Sequence, residues 1–565
     1  MNGPMKNKTL LTDGGNTHAH RTVHLEVVGA GERDRPRSHR LASRQAEPQR
    51  HVSIRVRRGR RTPRPSGQNW KWDAPSWCWS RSPGLALSSS PAHWMALLGL
   101  CAGLHLISIT WAADIALGGT ESFRRSASPR LTIHEWGTFT ALQDEQGRAI
   151  SGINTDDQPL PDFVHRLAQY LMIPATELAP AFFKGAPQCH PDVTMRLETP
   201  VVYFYPPAGA PLPMKLTIQA SFREGWLTEY YPNAAADAPG VRENSFTFGP
   251  LNPSVRGRLE WKDLLVGREP SFRETTSAVW LAPREVNAAG VAATYPALAA
   301  AESERYLFYR GVAHLDAPLR VVRTPSDGQL TIRAQIDERL GLKGPLTMSA
   351  LWLVDVRMDG AVAFRSFPPV SLAGGATRVL ATAPGQFKDA EFSKPNFENL
   401  MAAMQTALVR DGLFEDEAKA LLNTWQQAYF KSPGMRLFFL VPREWTDSVL
   451  SLDTSVPSDI SRTMVGRIEL VSPDHRRLLE TLVSSSPSSK TWLNDVGSEA
   501  WGPLMRAETT LAALGFVAPP DYQAYLDLGR FRNALILDAQ TQQPSIRLGA
   551  FIQQYGLAYF KPSGS

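Results

Sequence analysis

The chain has 565 residues, enough for two or three domains rather than one growing core. Its formal charge of +6 is unevenly spread: residues 1–113 carry 17 Lys and Arg against 6 Asp and Glu, a net of +11, which leaves 114–565 at −5. The basicity belongs to the leader, so general nucleic-acid binding by charge is excluded for the remainder.

Residues 1–93 contain "RDRPRSHRLASRQAEPQR" and "RVRRGRRTPRP", which have no apolar periodicity. They read as a disordered basic leader translated upstream of a true start near Met95, because no composition rule for a packed domain is met. The alternative is a basic arm that touches nucleic acid or anionic lipid. Trp94 to Ala113 is an apolar run broken only by His105, long enough to span a bilayer. Its small-residue end, Trp111-Ala112-Ala113, favours a cleaved signal peptide over a retained membrane anchor. Contact with a membrane is expected only if this segment stays uncleaved. After cleavage Cys189 is the one cysteine left, so no internal disulfide forms and stability rests on core burial.

Residues 114–130 are a Gly/Ser/Arg-rich linker. A β-rich domain is expected over 131–390. In "MKLTIQASFR" Leu216, Ile218, Ala220 and Phe222 alternate with polar residues, a strand with one wet face. "VDVRMDGAVAFRSF" (354–367) is a hairpin about Asp359-Gly360. Further strands are expected at 131–142, 193–205, 227–231, 257–265, 277–282, 304–312, 318–323, 328–335 and 346–356, and "PDFVHRLAQYLM" (161–172) as a short helix. Over 391–480 the pattern turns helical: "NFENLMAAMQTALVRDG" and "FEDEAKALLNTWQQAYF" form a helical hairpin, followed by returning strands and a helix capped by Ser472. Residues 481–565 read as a helical C-terminal region. The fold class is α+β: antiparallel, sandwich-like β structure, then a helical hairpin, then a helical C-terminal part.

"HEWGTFT" (134–140), "LETPVVYFY" (197–205), "LTEYYP" (227–232), "YLFYRG" (306–311), "NTWQQAYF" (423–430) and "MVGRIEL" (464–470) together resemble an uncharacterised family of exported bacterial proteins built around a HEWGTFT segment. The resemblance spans about 134–475 and implies an exported protein; it implies no activity, fold or ligand.

As a strand, 131–139 puts His134, Trp136 and Thr138 on one face and Ile133, Glu135, Gly137 and Phe139 on the other. Adjacent His and Glu therefore point apart, and the second histidine of H-E-x-x-H falls at Thr138, so the segment is not a zincin motif. His134, His165 and His190 are the candidate metal ligands: three imidazoles converging with a carboxylate would suit zinc or a related divalent ion, the one cofactor the residues suggest. The ordinary reading of such a histidine is a core residue satisfied by backbone. Cys189-His190 would need a turn to act as nucleophile and base. Glu198 and Glu229 are the candidate acid and base or nucleophile of a glycosidase, with Trp226, Tyr230 and Tyr231 as a sugar platform and Trp136 as a further ligand contact. Against that, Glu198 has Arg196 and Arg310 as natural partners, and Glu229 suits a strand face toward water. No G-x-S-x-G elbow, phosphate loop or CxxC pair is present.

The leading expectation is an exported protein of the periplasm, envelope or extracellular space that binds a glycan or envelope component on an exposed aromatic surface. The rival is an exported hydrolase, carboxylate-based on glycans or metal-assisted.

Overall fold

In the computed structural model the described residues are 130–155, 160–167, 182–183, 186–242, 247–294, 301–343, 346–372, 378–492, 496, 504 and 509–557. The basic leader, the 94–113 segment and the linker up to 129 lie outside them. The chain divides into two units, 1–116 and 117–565, and all the described structure belongs to the second.

The organising element is the strand Leu131–Gln143, buried along nearly its whole length. It lies mid-sheet and pairs in parallel with Ser458–Leu470, from Leu131 opposite Ser458 to Gln143 opposite Leu470. Its other edge meets Met195–Leu197 and Val201–Tyr205, both antiparallel. Pro200 lies between these two, so the single strand expected over 193–205 is two. Outward from the first strand run Leu307–Ala313, Gly225–Tyr231 and His165–Arg166; outward from Ser458–Leu470 run Gly434–Val441, Leu351–Val356 and Val362–Phe367. Among the described residues this makes a ten-stranded sheet, antiparallel apart from the central seam.

Alternation along the first strand decides what packs where. Ile133, Phe139 and Ala141 join an apolar core with Ile218, Ala220 and Phe222 of Met214–Arg223 and with Leu259 and Trp261 of Arg256–Val266. Those two strands belong to a second, six-stranded antiparallel sheet, so two sheets share one core, as the sandwich-like expectation has it. On the opposite face Trp136 joins a core with Leu400, Met404 and Leu408 of Asn396–Arg410 and with Leu421 and Trp425 of Glu415–Trp425. These two helices are the expected hairpin. A third core holds the C-terminal helices Pro473–Ser484, Pro520–Asp527, Arg532–Gln542 and Ile546–Tyr555 against Leu142, Val193 and Val312. Sheets and helices together make the protein α+β.

Two local expectations are corrected. Residues 277–282, read as a strand, form the helix Ala278–Arg284, whose buried Trp280 joins the helical-hairpin core; a short apolar run does not distinguish the two states. Within 161–172, read as a helix, His165 and Arg166 pair with Tyr230 and Glu229 as an edge strand, because sheet pairing there outweighs local propensity. Residues 168–172 lie outside the described ones. Among the described residues no helix is long and apolar enough to cross a membrane.

Candidate functional site

The residues of the HEWGTFT segment tie the central strand to several other elements. His134 is 6% exposed and its Nδ1 donates to Glu417 Oε2 at 2.8 Å. Glu417 is fully buried and also accepts from the Tyr205 hydroxyl at 2.8 Å and the Phe414 N–H at 2.7 Å. On the other face, Glu135 accepts from the Tyr309 hydroxyl and is ion-paired to Arg462, which reaches on to Asp447 at 2.7 Å. Trp136 packs against Tyr203, and Phe139 against Phe439 and Trp445. A Cβ on Gly137 would lie 3.1 Å from both Met464 Cε and the Pro200 backbone. Thr138 and Thr140 bracket the Tyr429 hydroxyl at 2.8 and 3.1 Å. The segment is the buried seam of the fold.

The candidate metal ligands do not converge. His165 donates Nε2–H to Glu302 at 2.8 Å and stacks on Tyr230. His190 is buried edge-on to Trp226, with Nδ1 accepting the Asp192 N–H at 3.2 Å; burial lowers its pKa, partly opposed by Asp192 and the carbonyls of Gly249 and Phe248. With His134 on Glu417, each imidazole is committed to a separate local partner. Among the described residues no group of three or more His, Cys, Asp and Glu is placed to hold a metal. Cys189 sits at φ 53°, buried, and its thiol is pushed up to about 12 by that burial, which leaves it a poor nucleophile at neutral pH.

Both candidate glycosidase carboxylates are held by arginine. Glu198 is fully buried 3.4 Å from Arg196 Nε, and Glu229 is ion-paired to Arg310 and to Arg166 Nε at 3.1 Å. The sugar platform is corrected as well: Trp136, Trp226 and Tyr230 are 0% exposed and Tyr231 is 1%. Strands covered on both faces turn their aromatics into core, and the Trp226 indole N–H is spent on the Pro239 carbonyl at 2.8 Å.

One cleft open to a ligand, of about 1080 Å³, lies between the 160–163 turn, the 272–277 loop and the helix Ala278–Arg284. Its wall begins where the candidate residues end. Phe163 packs on Tyr231 at 4.9 Å and on Trp280 at 5.2 Å between ring centroids. Phe272, 41% exposed, supplies an aromatic face, with the guanidinium of Arg284 4.7 Å and that of Arg305 5.6 Å from its ring centre. Arg284 is pre-oriented: the fully buried Glu304 accepts from its Nε at 3.0 Å and its Nη2 at 2.7 Å, while also accepting from the Trp280 indole and the Arg305 N–H, both at 2.9 Å. Arg273 lines the same cleft from an exposed position. The Tyr231 phenol behind it is pushed up to about 12 by burial and by Glu302 and Glu304, with Arg273 opposing. Sequence reasoning missed Phe272, Arg273 and Arg284; the signal was an aromatic-basic pair in a polar stretch, "REPSFRETTS", that fits no periodicity.

No family model matches the chain and no curated protein matches it. Among solved structures it is similar to the Fcho1 Mu homology domain of Danio rerio with bound Eps15 peptide, at 8% identity and a TM-score of 0.22, over 61% of this chain and 95% of that one. A likeness that slight carries no argument about fold or function.

Proposed function

We propose that this is an exported binding protein of the cell envelope, of the HEWGTFT-bearing kind its motifs resemble, and that it takes a carboxylate-bearing glycan in the Phe272–Arg284 cleft. The observation that carries the reading is an exposed arginine, Arg273, lining the same cleft as the accessible aromatic ring of Phe272. A sugar ring stacks on such a face, and a guanidinium reads a carboxylate through paired N–H donors. Export is supported by the Trp94–Ala113 run and its small-residue end. The test is calorimetry of the full-length chain with a uronic-acid oligosaccharide and its neutral counterpart. Saturable binding of the acidic form alone, weakened about tenfold by Phe272→Ala or Arg273→Gln, is the expected result; equal binding of both forms, or none, sinks the reading.

A hydrolase is the second reading, and one observation favours it. Glu417 fixes the His134 ring through Nδ1, which leaves Nε2 as the basic nitrogen, and Ser461 stands in register beside His134 on the parallel neighbour strand. Labelling by a fluorophosphonate, mapped to Ser461 and lost in His134→Asn, would establish it.

A further inference from the structure

A second cleft, of about 1280 Å³, opens where the 144–148 turn meets the 324–329 turn, the helix Pro473–Ser484 and the helix Arg532–Gln542. Its three arginines are already engaged. Arg148 is held by Asp538 at 3.0 Å and Asp144 at 2.9 Å, Arg476 by Glu145 at 2.6 Å, and Arg323 donates to the Gly385 carbonyl at 2.9 Å. Five carboxylates line the cleft against those three guanidiniums, so its charge is negative. Two of the five, Asp327 and Glu480, are exposed and make no ion pair among the described residues. An anionic ligand is repelled here.

The neutral part of the lining narrows the class further. Five glutamines, Gln146, Gln329, Gln386, Gln542 and Gln543, contribute side-chain amides that bond to no other described residue. An amide offers a donor and an acceptor side by side, the complement of a peptide N–H and C=O. Leu479, Val483 and Pro384 add apolar patches suited to the methylene stems of Lys and Arg. No aromatic residue lines the cleft, which removes the stacking face a sugar would use. We infer that this cleft takes an extended basic peptide segment, its cationic side chains meeting Asp327 and Glu480 and its backbone meeting the glutamine amides. The site is separate from the Phe272 cleft and stands or falls independently of the glycan reading.

The test uses fluorescence anisotropy of the full-length chain with a labelled dodecapeptide alternating Arg and Gly. Two double variants with the same change in net charge are compared: Asp327→Asn with Glu480→Gln inside the cleft, and Glu398→Gln with Glu444→Gln at exposed positions outside it. All four positions are exposed, so both proteins keep the parental Tm. Saturable binding that weakens about fivefold in the cleft variant and less than about twofold in the control is the expected result. No saturable binding, equal weakening by both variants, or displacement of the peptide by a neutral oligosaccharide overturns the assignment.

Discussion

His134 and Glu417, 283 residues apart in sequence, share a hydrogen bond of 2.8 Å between Nδ1 and Oε2 in a site that is almost closed to solvent. That bond clamps the start of the central strand to the first turn of the second hairpin helix. Phe414 completes the clamp, its ring 4.5 Å from the imidazole and its N–H on the same carboxylate oxygen.

His134→Ala should therefore lower stability by about 1–3 kcal/mol, because Glu417 loses one partner yet keeps the Tyr205 hydroxyl and the Phe414 N–H. Urea denaturation measures the loss, and a cycle with Glu417→Gln should show strong coupling between the two positions. Additive effects would mean the bond is dispensable.

Arg462→Met should cost more, about 3–5 kcal/mol. It leaves Glu135, 1% exposed, with only the Tyr309 hydroxyl, whereas Asp447 is 45% exposed and simply returns to water. The double variant Glu135→Gln with Arg462→Met should recover a large part of the loss, since no unpaired charge then remains buried. Chemical denaturation of the three proteins checks the order.

Gly466→Ala should destabilise by about 1–3 kcal/mol. A Cβ there would lie 2.2 Å from Cζ of Phe439, a ring pinned against Phe139. Adding Phe439→Leu should return part of that stability, read as Tm; a glycine merely tolerated for flexibility would show no such rescue.

Stability should fall with acid in two stages. Burial lowers the pKa values of His190 and His475 below 6.5, so the unfolded chain binds their protons first and stability declines as pH drops below about 6.5. Glu145 and Glu469 follow: burial would raise them, but Arg476 and the Arg436–Arg467 pair respectively outweigh it and hold both below 4.5, so their contribution is lost as pH falls through that range. His475→Gln should flatten the first stage while keeping the helix start, because glutamine can fill the same capping position as the His475 ring that receives the Ser472 N–H. Tm measured from pH 8 to 2 tests both stages.

Much of the fold was legible where one periodicity dominated. The two faces of residues 131–139 were read correctly from alternation alone, as were the inward residues of 214–223, the Asp359-Gly360 turn, with Gly360 at φ 80°, and the two hairpin helices. The seat of Ser458–Leu470 was not legible: nothing local distinguishes a strand that returns to the middle of a sheet from one at its edge. The candidate sites failed for a related reason. Trp226, Tyr230 and Glu229 look available in a strand with a polar face, but partners from 165–166, 310 and 239 close over them. Burial of this kind is set by distant chain segments, and residue type alone does not report it.

The parallel seam also governs when the molecule can fold. Glu135 and Arg462 meet across 327 residues, so while the chain is still being synthesised its central strand has no lasting place. Until residue 470 emerges, the apolar residues of 131–143 lack the neighbour that shields one of their edges. A nascent chain in this condition stays open for most of its synthesis, which exposes it to proteases and aggregation until the last strand arrives.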